Sequence, residues 1–127
     1  MVKEAGGQFI ISPNTDAAVI HETVQQGMLS MPGFLTPTEA FAALSAGAHY
    51  LKLFPAGNFG VGYIKSLQAV VKAPIFAVGG MSLANLAEFL RVCRGAGIGG
   101  CLYKPGKSLE DIRRDAAAFA RIGTNGP

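Results

Sequence analysis

The chain has 127 residues, half of them apolar and 15% charged, which suits one folded domain with its own core and excludes a disordered chain. Its net charge of +3 is eleven basic residues against eight acidic ones, and the basic residues are spread along the sequence, so the clustered basic face of a nucleic-acid binder is absent, and no apolar run approaches the roughly 20 residues of a membrane span. Cys93 and Cys101 form neither a disulfide framework nor a metal-ligand spacing, and the stretch after Met1 is not a leader, so the expectation is a cytoplasmic, reduced protein with no metal site.

Gly6 and Gly7 lead into a first strand over residues 8–12, broken by Pro13. Thr15 is placed to cap a helix over 16–26, with Asp16 in its first turn, Val19 or Ile20 and Val24 on its apolar stripe, and Gly27 at its end. A second strand, 28–31, stops at Pro32-Gly33. Thr36-Pro37-Thr38-Glu39 is the cleanest local signal: Thr36 fits the N-cap, Pro37 the first helical position, and Glu39 closes a capping box. That helix runs to about Ala46, with Ala40, Phe41 and Leu44 toward the core. The third strand is 50–54. A helix over 62–71 follows, then a fourth strand, 75–78, ending at Gly79-Gly80. Ser82 is expected to cap a helix carrying Leu83, Leu86 and Leu90 on one face. Residues 95–102 read as a glycine-interrupted fifth strand and turn, with 98–102 in its edge. Ser108 caps a last helix with Glu110 and Asp111 in its first turn and Ile112, Ala116 and Phe119 inside, and 123–127 read as a frayed tail.

Strands beginning near 8, 28, 50, 75 and 97, each followed by an amphipathic helix, make five βα units. Such alternation means an α/β fold with a parallel sheet and right-handed crossovers. Two architectures fit: an open five-stranded parallel sheet of flavodoxin type, or five units of a (β/α)₈ barrel, whose full set takes about 250 residues.

In either case chemistry gathers at the carboxyl ends of the strands. Along 50–54 the side chains alternate, so Tyr50, Lys52 and Phe54 share a face. Lys52 thus stands in an apolar strand with no acid nearby in sequence. Desolvation of an amine favours its neutral form, which is a nucleophile that makes Schiff bases with carbonyls. The alternative is a lysine whose stem lies on apolar surface while its head reaches water. Gly79 and Gly80, and Gly97, Gly99 and Gly100, let bare amides approach a ligand, either as a phosphate cradle beside the helix after Ser82 or as plain turns. Residues 97–102 are not a dinucleotide fingerprint, since no βα unit follows. His21 and His49 read as surface or structural, and Cys101 as a small buried residue. The acids fall in helix first turns or on helix faces, which leaves no candidate for a general acid/base.

The segment Tyr-Leu-Lys-Leu-Phe-Pro-Ala at 50–56 resembles the Schiff-base segment of the 2-keto-3-deoxy-6-phosphogluconate / 6-phosphogalactonate aldolases. The likeness extends through 9–14, 31–40, 75–80 and 95–100 in the family's order and spacing, and Asn58-Phe59-Gly60 with Tyr63-Ile64-Lys65 is more similar to the phosphogalactonate branch. The resemblance implies a (β/α)₈ barrel that assembles as a trimer, with no cofactor. It implies that Lys52 is the Schiff-base lysine, that Pro32 and Phe54 line the pyruvyl pocket, and that Gly79, Gly80, Gly99 and Gly100 hold the phosphate. Gly100 stands where a serine is common, which removes one hydroxyl contact. The family's first three strands, with an arginine, the glutamate acid/base and a glycine-threonine turn, have no counterpart here. Residues 8–12 match the fourth strand, so 1–127 is expected to form one incomplete barrel domain of strands four to eight. The implied activity is that of a class I aldolase, a lyase cleaving 2-dehydro-3-deoxy-6-phosphogalactonate (or -gluconate) to pyruvate and glyceraldehyde 3-phosphate. The alternative is an impaired fragment that only binds phosphate or self-associates through its sheet edges.

Overall fold

The computed structural model describes residues 1–124. Its elements in order are β1 (Phe9–Ile11), α1 (Ala17–Gln25), β2 (Leu29–Met31), β3 (Gly33–Phe34), α2 (Pro37–Ser45), β4 (Leu51–Leu53), a 3₁₀ turn (Ala56–Asn58), α3 (Gly60–Val70), β5 (Ile75–Val78), α4 (Leu86–Leu90), β6 (Gly95–Gly97) and α5 (Leu109–Thr124). All strand pairs are parallel: β1 with β2, and β3, β4, β5 and β6 in that order. The second predicted strand therefore does not stop at Pro32-Gly33. It breaks at Pro32, which has no N–H for the ladder, and resumes as β3. The backbone line is continuous across the break, because Tyr50 N donates to Ser30 O at 3.2 Å and Lys52 N to Pro32 O at 2.9 Å.

Counting β2 and β3 as one line, the five positions follow chain order. A flavodoxin-type sheet would place its first strand between the second and third. Consecutive order is that of successive staves of a barrel, so the open parallel sheet is an arc of one. One face of the arc is covered by helices: Leu51, Leu53, Ile75 and Ala77 pack with Ile20, Ala40, Ala43, Ile64, Leu67, Val71 and Phe89 in a single buried cluster. The other face is open. There Phe9 is 59% exposed, Ile11 50% and Leu29 44%, and Lys52, Phe76 and Val78 are half-buried.

Local chemistry explains where the helices begin. The capping box at Thr36 and Glu39 forms in full, with Pro37 opening α2. At α1 the cap is Asp16, whose carboxylate accepts from Ala18 N and Val19 N; the Thr15 hydroxyl donates instead to Gly33 O, 18 residues on, at 2.7 Å. Ser82 does not cap α4. Its amide donates to Asn85 Oδ1, and Asn85 Nδ2 donates to Gly80 O, so this carboxamide ties off a turn and the helix starts only at Leu86. Residues 98–102 form a turn rather than strand, and α5 includes Gly123, so of the expected tail only 125–127 lie outside the described residues. Phe41, Val70 and Leu83 sit at apolar helical spacing yet are exposed, with Ala40, Ala43 and Leu86 filling the inner positions. Among the described residues no helix is long and apolar enough to cross a membrane.

Candidate active site

The carboxyl ends of β3 to β6 converge as the parallel sheet requires. Lys52 pairs in register with Gly33 on one side and Phe76 on the other. It is half-buried, and among the described residues its ammonium makes no ion pair. Its Nζ stands over the Phe54 ring, 5.0 Å from the centroid and within cation–π range. The loop after β1 crosses directly over Gly33: a Cβ there would clash with Pro13 O, so any larger residue would push that loop off the lysine's neighbour.

Beyond Phe54 lies a cleft of about 530 Å³ lined by Phe54, Val78, Gly79, Gly80, Met81, Gly97, Ile98, Gly99, Gly100 and Cys101. Gly79, Gly80, Gly99 and Gly100, all singled out in the sequence, meet in it. Gly79 and Gly80 have φ of +89° and +73°, the left-handed region that side chains resist. Space is short there too: a Cβ on Gly79 would lie 3.0 Å from the Phe54 ring, and one on Gly80 would lie 3.2 Å from Gly57 Cα. Gly57 N donates to Gly79 O at 2.9 Å, which locks the loop after β4 to the loop after β5. In the sequence Gly57 is only one of several turn glycines; its role depends on the approach of a second loop.

Other expected residues separate from this group. Pro32 is fully buried and its carbonyl accepts from Lys52 N, and neither Pro32 nor Lys52 is among the residues that line this cleft. Cys101 is exposed on the cleft wall, not buried, because it lies in the turn after β6 where nothing packs over it. Burial pushes the Cys93 thiol up to about 11, which leaves it protonated and unreactive. His49 has a structural part, its Nδ1 accepting from Ser30 N at 3.2 Å. The Glu39 carboxylate is held below its ordinary range by hydrogen bonds from the Thr36 and Leu35 amides, which commits it to the cap. Asp111 and Asp115 are taken by Arg114 and Lys107 on α5 and the loop before it. The Tyr63 hydroxyl, whose partner the sequence does not indicate, donates to Leu35 O at 2.6 Å and pins the loop after β3 to α3. Among the described residues no group of three or more His, Cys, Asp or Glu side chains is set to hold a metal ion.

Three comparisons bear on this geometry. A family model described as KDPG and KHG aldolase matches residues 1–120. The chain is 48% identical over 119 residues to 2-dehydro-3-deoxy-6-phosphogalactonate aldolase of Escherichia coli (strain K12), covering 91% of this chain and 58% of that protein. It is 32% identical over 114 residues to KHG/KDPG aldolase of the same strain, covering 86% and 52%. Among solved structures it superposes on the native KDPGal structure with a TM-score of 0.91 at 45% identity, covering 95% of this chain and 60% of that one. The chain thus spans somewhat more than half the length of these relatives.

Proposed function

The chain belongs to the KDPG and KHG aldolase family, and from that premise we propose that it carries the Schiff-base and phosphate-binding half of a class I aldolase cleaving 2-dehydro-3-deoxy-6-phosphogalactonate to pyruvate and glyceraldehyde 3-phosphate. The higher identity to the phosphogalactonate enzyme, 48% against 32%, favours that epimer. The observation that carries the reading is the placement of Lys52: an amine with no counter-ion among the described residues, on the open face of β4, one aromatic ring away from a cleft walled by bare glycine amides.

In this reading Lys52 Nζ attacks the C2 carbonyl, and loss of water gives a protonated imine. The imine accepts the electron pair when the C3–C4 bond breaks and the C4 hydroxyl loses its proton. Protonation of the resulting enamine and hydrolysis release pyruvate and return the free amine. Phe54 borders both regions, its ring near Nζ and against Gly79, so it separates the pyruvyl end from the phosphate end. The phosphate is held by amides of the Gly79-Gly80 and Gly99-Gly100 turns, and Pro32 fixes the lysine strand through its carbonyl. General acid/base help, worth about 10²- to 10⁴-fold, has no carboxylate assigned to it among the described residues. The substrate partner is a small phosphorylated keto acid, the assembly a homo-oligomer of trimer type, and the compartment the cytoplasm. The test is pyruvate release from the phosphogalactonate substrate by this chain co-produced with the first three βα units of a relative. Activity abolished by Lys52→Met supports the reading; activity that survives that substitution overturns it.

A further inference from the structure

The glycines of the turn that closes the cleft on the β6 side are not held by packing. A Cβ added at Gly99 or Gly100 would meet nothing within 4 Å, and both residues are exposed. The turn is held by hydrogen bonds. Leu102 N and Tyr103 N both donate to Gly99 O, at 2.9 and 3.1 Å. The carbonyls of Cys101 and Leu102, on the opposite edges of those same two peptide planes, accept from Lys107 Nζ at 2.8 and 2.9 Å. The third direction of the ammonium is taken by Asp115 Oδ2 on α5 at 2.7 Å. Lys107 and Asp115 side chains are only 14% and 20% exposed, unlike the surface pair that Arg114 makes with Asp111.

Two consecutive peptide planes are therefore fixed at both edges, by Gly99 O on one side and Lys107 on the other. With those bonds made, the amides of Gly99, Gly100 and Cys101 donate to no protein acceptor among the described residues. They are the free N–H groups that an anion in the cleft would take. Removing the ammonium would leave two carbonyls without their donor, and the planes would be tied only through their N–H groups to Gly99 O.

We propose that Lys107 is a positioning residue for anion binding: it clamps the turn after β6 to α5 so that the Gly99, Gly100 and Cys101 amides stay aimed into the cleft. This rests on the reading of the cleft as the phosphate site. The probe is inorganic phosphate, titrated calorimetrically into the 127-residue chain, with pyruvate trapping on Lys52 by borohydride as a phosphate-independent measurement. Lys107→Met is expected to weaken phosphate binding about tenfold or more, the scale of losing charge-assisted hydrogen bonds, while pyruvate trapping stays within about twofold. Lys107→Arg restores much of the affinity. Lys104→Met, which removes the same charge from an exposed neighbour, has little effect. Asp115→Asn is the sharpest arm, and it stands in if Lys107→Met does not fold: it makes the chain more positive, which alone would tighten anion binding, yet loosening the clamp weakens it. Phosphate affinity unchanged in Lys107→Met, or strengthened in Asp115→Asn, overturns the role of Lys107 alone. A folded wild-type chain that traps pyruvate but binds no phosphate overturns the cleft assignment and the clamp with it.

Discussion

Gly79→Ala tests whether the cleft glycines are there for backbone geometry. At φ +89° an alanine carries the left-handed penalty of roughly 1–2 kcal/mol. The added methyl would stand 3.0 Å from the Phe54 ring and 3.2 Å from Pro55 Cα. Phe54 is 40% exposed, so its ring has room to swing and the contact is relieved without the full cost of overpacking a core. The net loss is therefore about 1–2 kcal/mol, which at a urea slope near 2 kcal/mol per molar moves the unfolding midpoint down by roughly 0.5–1 M. The swing also changes the ring's position against Lys52 Nζ, so pyruvate trapping should change along with the loss of phosphate affinity. Gly99→Ala is the internal control. It has no positive φ and no atom within 4 Å of the new methyl, so its stability should change by less than about 0.5 kcal/mol. Urea titrations of both variants followed by circular dichroism decide the point. Equal midpoints for the two substitutions would refute the argument that backbone conformation and the Phe54 contact set Gly79 apart.

Glu39 has a lowered pKa in the folded chain, so its stabilising contribution is present above its ordinary value of 4.5 and is lost as pH falls through the lower folded value. Glu39→Gln should thus cost stability at about pH 7, and the cost should shrink as pH falls below the ordinary carboxylate value and through the lower folded one, read as urea midpoints along a pH series. With the Cys93 thiol pushed up to about 11, a thiol reagent at about pH 8 should label Cys101 first, and phosphate should slow that labelling because Cys101 lines the cleft. The open face with Phe9, Ile11 and Leu29 and the unpaired edges of β1 and β6 should make the isolated chain self-associate. Sedimentation of a well-behaved monomer with cooperative unfolding would contradict that.

Features governed by near neighbours in sequence can be read from the residues alone. The capping box is one, because Thr36 and Glu39 satisfy each other's backbone donors within four residues. The alternation that puts Lys52 on one face and Leu51 and Leu53 on the other is another. What the residues alone do not reveal depends on distant partners. The cap of α1 falls to Asp16 while the Thr15 hydroxyl reaches Gly33 O, and the start of α4 moves because Asn85 folds back on Ser82 and Gly80. Strand order is open at the level of sequence, since parallel strands in an arc and in a doubly wound sheet carry the same pattern. The cleft glycines are legible at the strand ends, yet Gly57 and Lys107, which hold their loops, are not. Their partners, Gly79 O and the carbonyls of Cys101 and Leu102, come together only in the folded chain.

The central claim is that Lys52 is the nucleophile. Incubation of the chain with pyruvate and borohydride, followed by peptide mass mapping, tests it most directly, because trapping needs the amine and a carbonyl but no acid/base partner for cleavage. The expected result is a reduced pyruvyl adduct on Lys52 and none on the five other lysines, Lys3, Lys65, Lys72, Lys104 and Lys107. An adduct on Lys65 or Lys72 with Lys52 unmodified would contradict it.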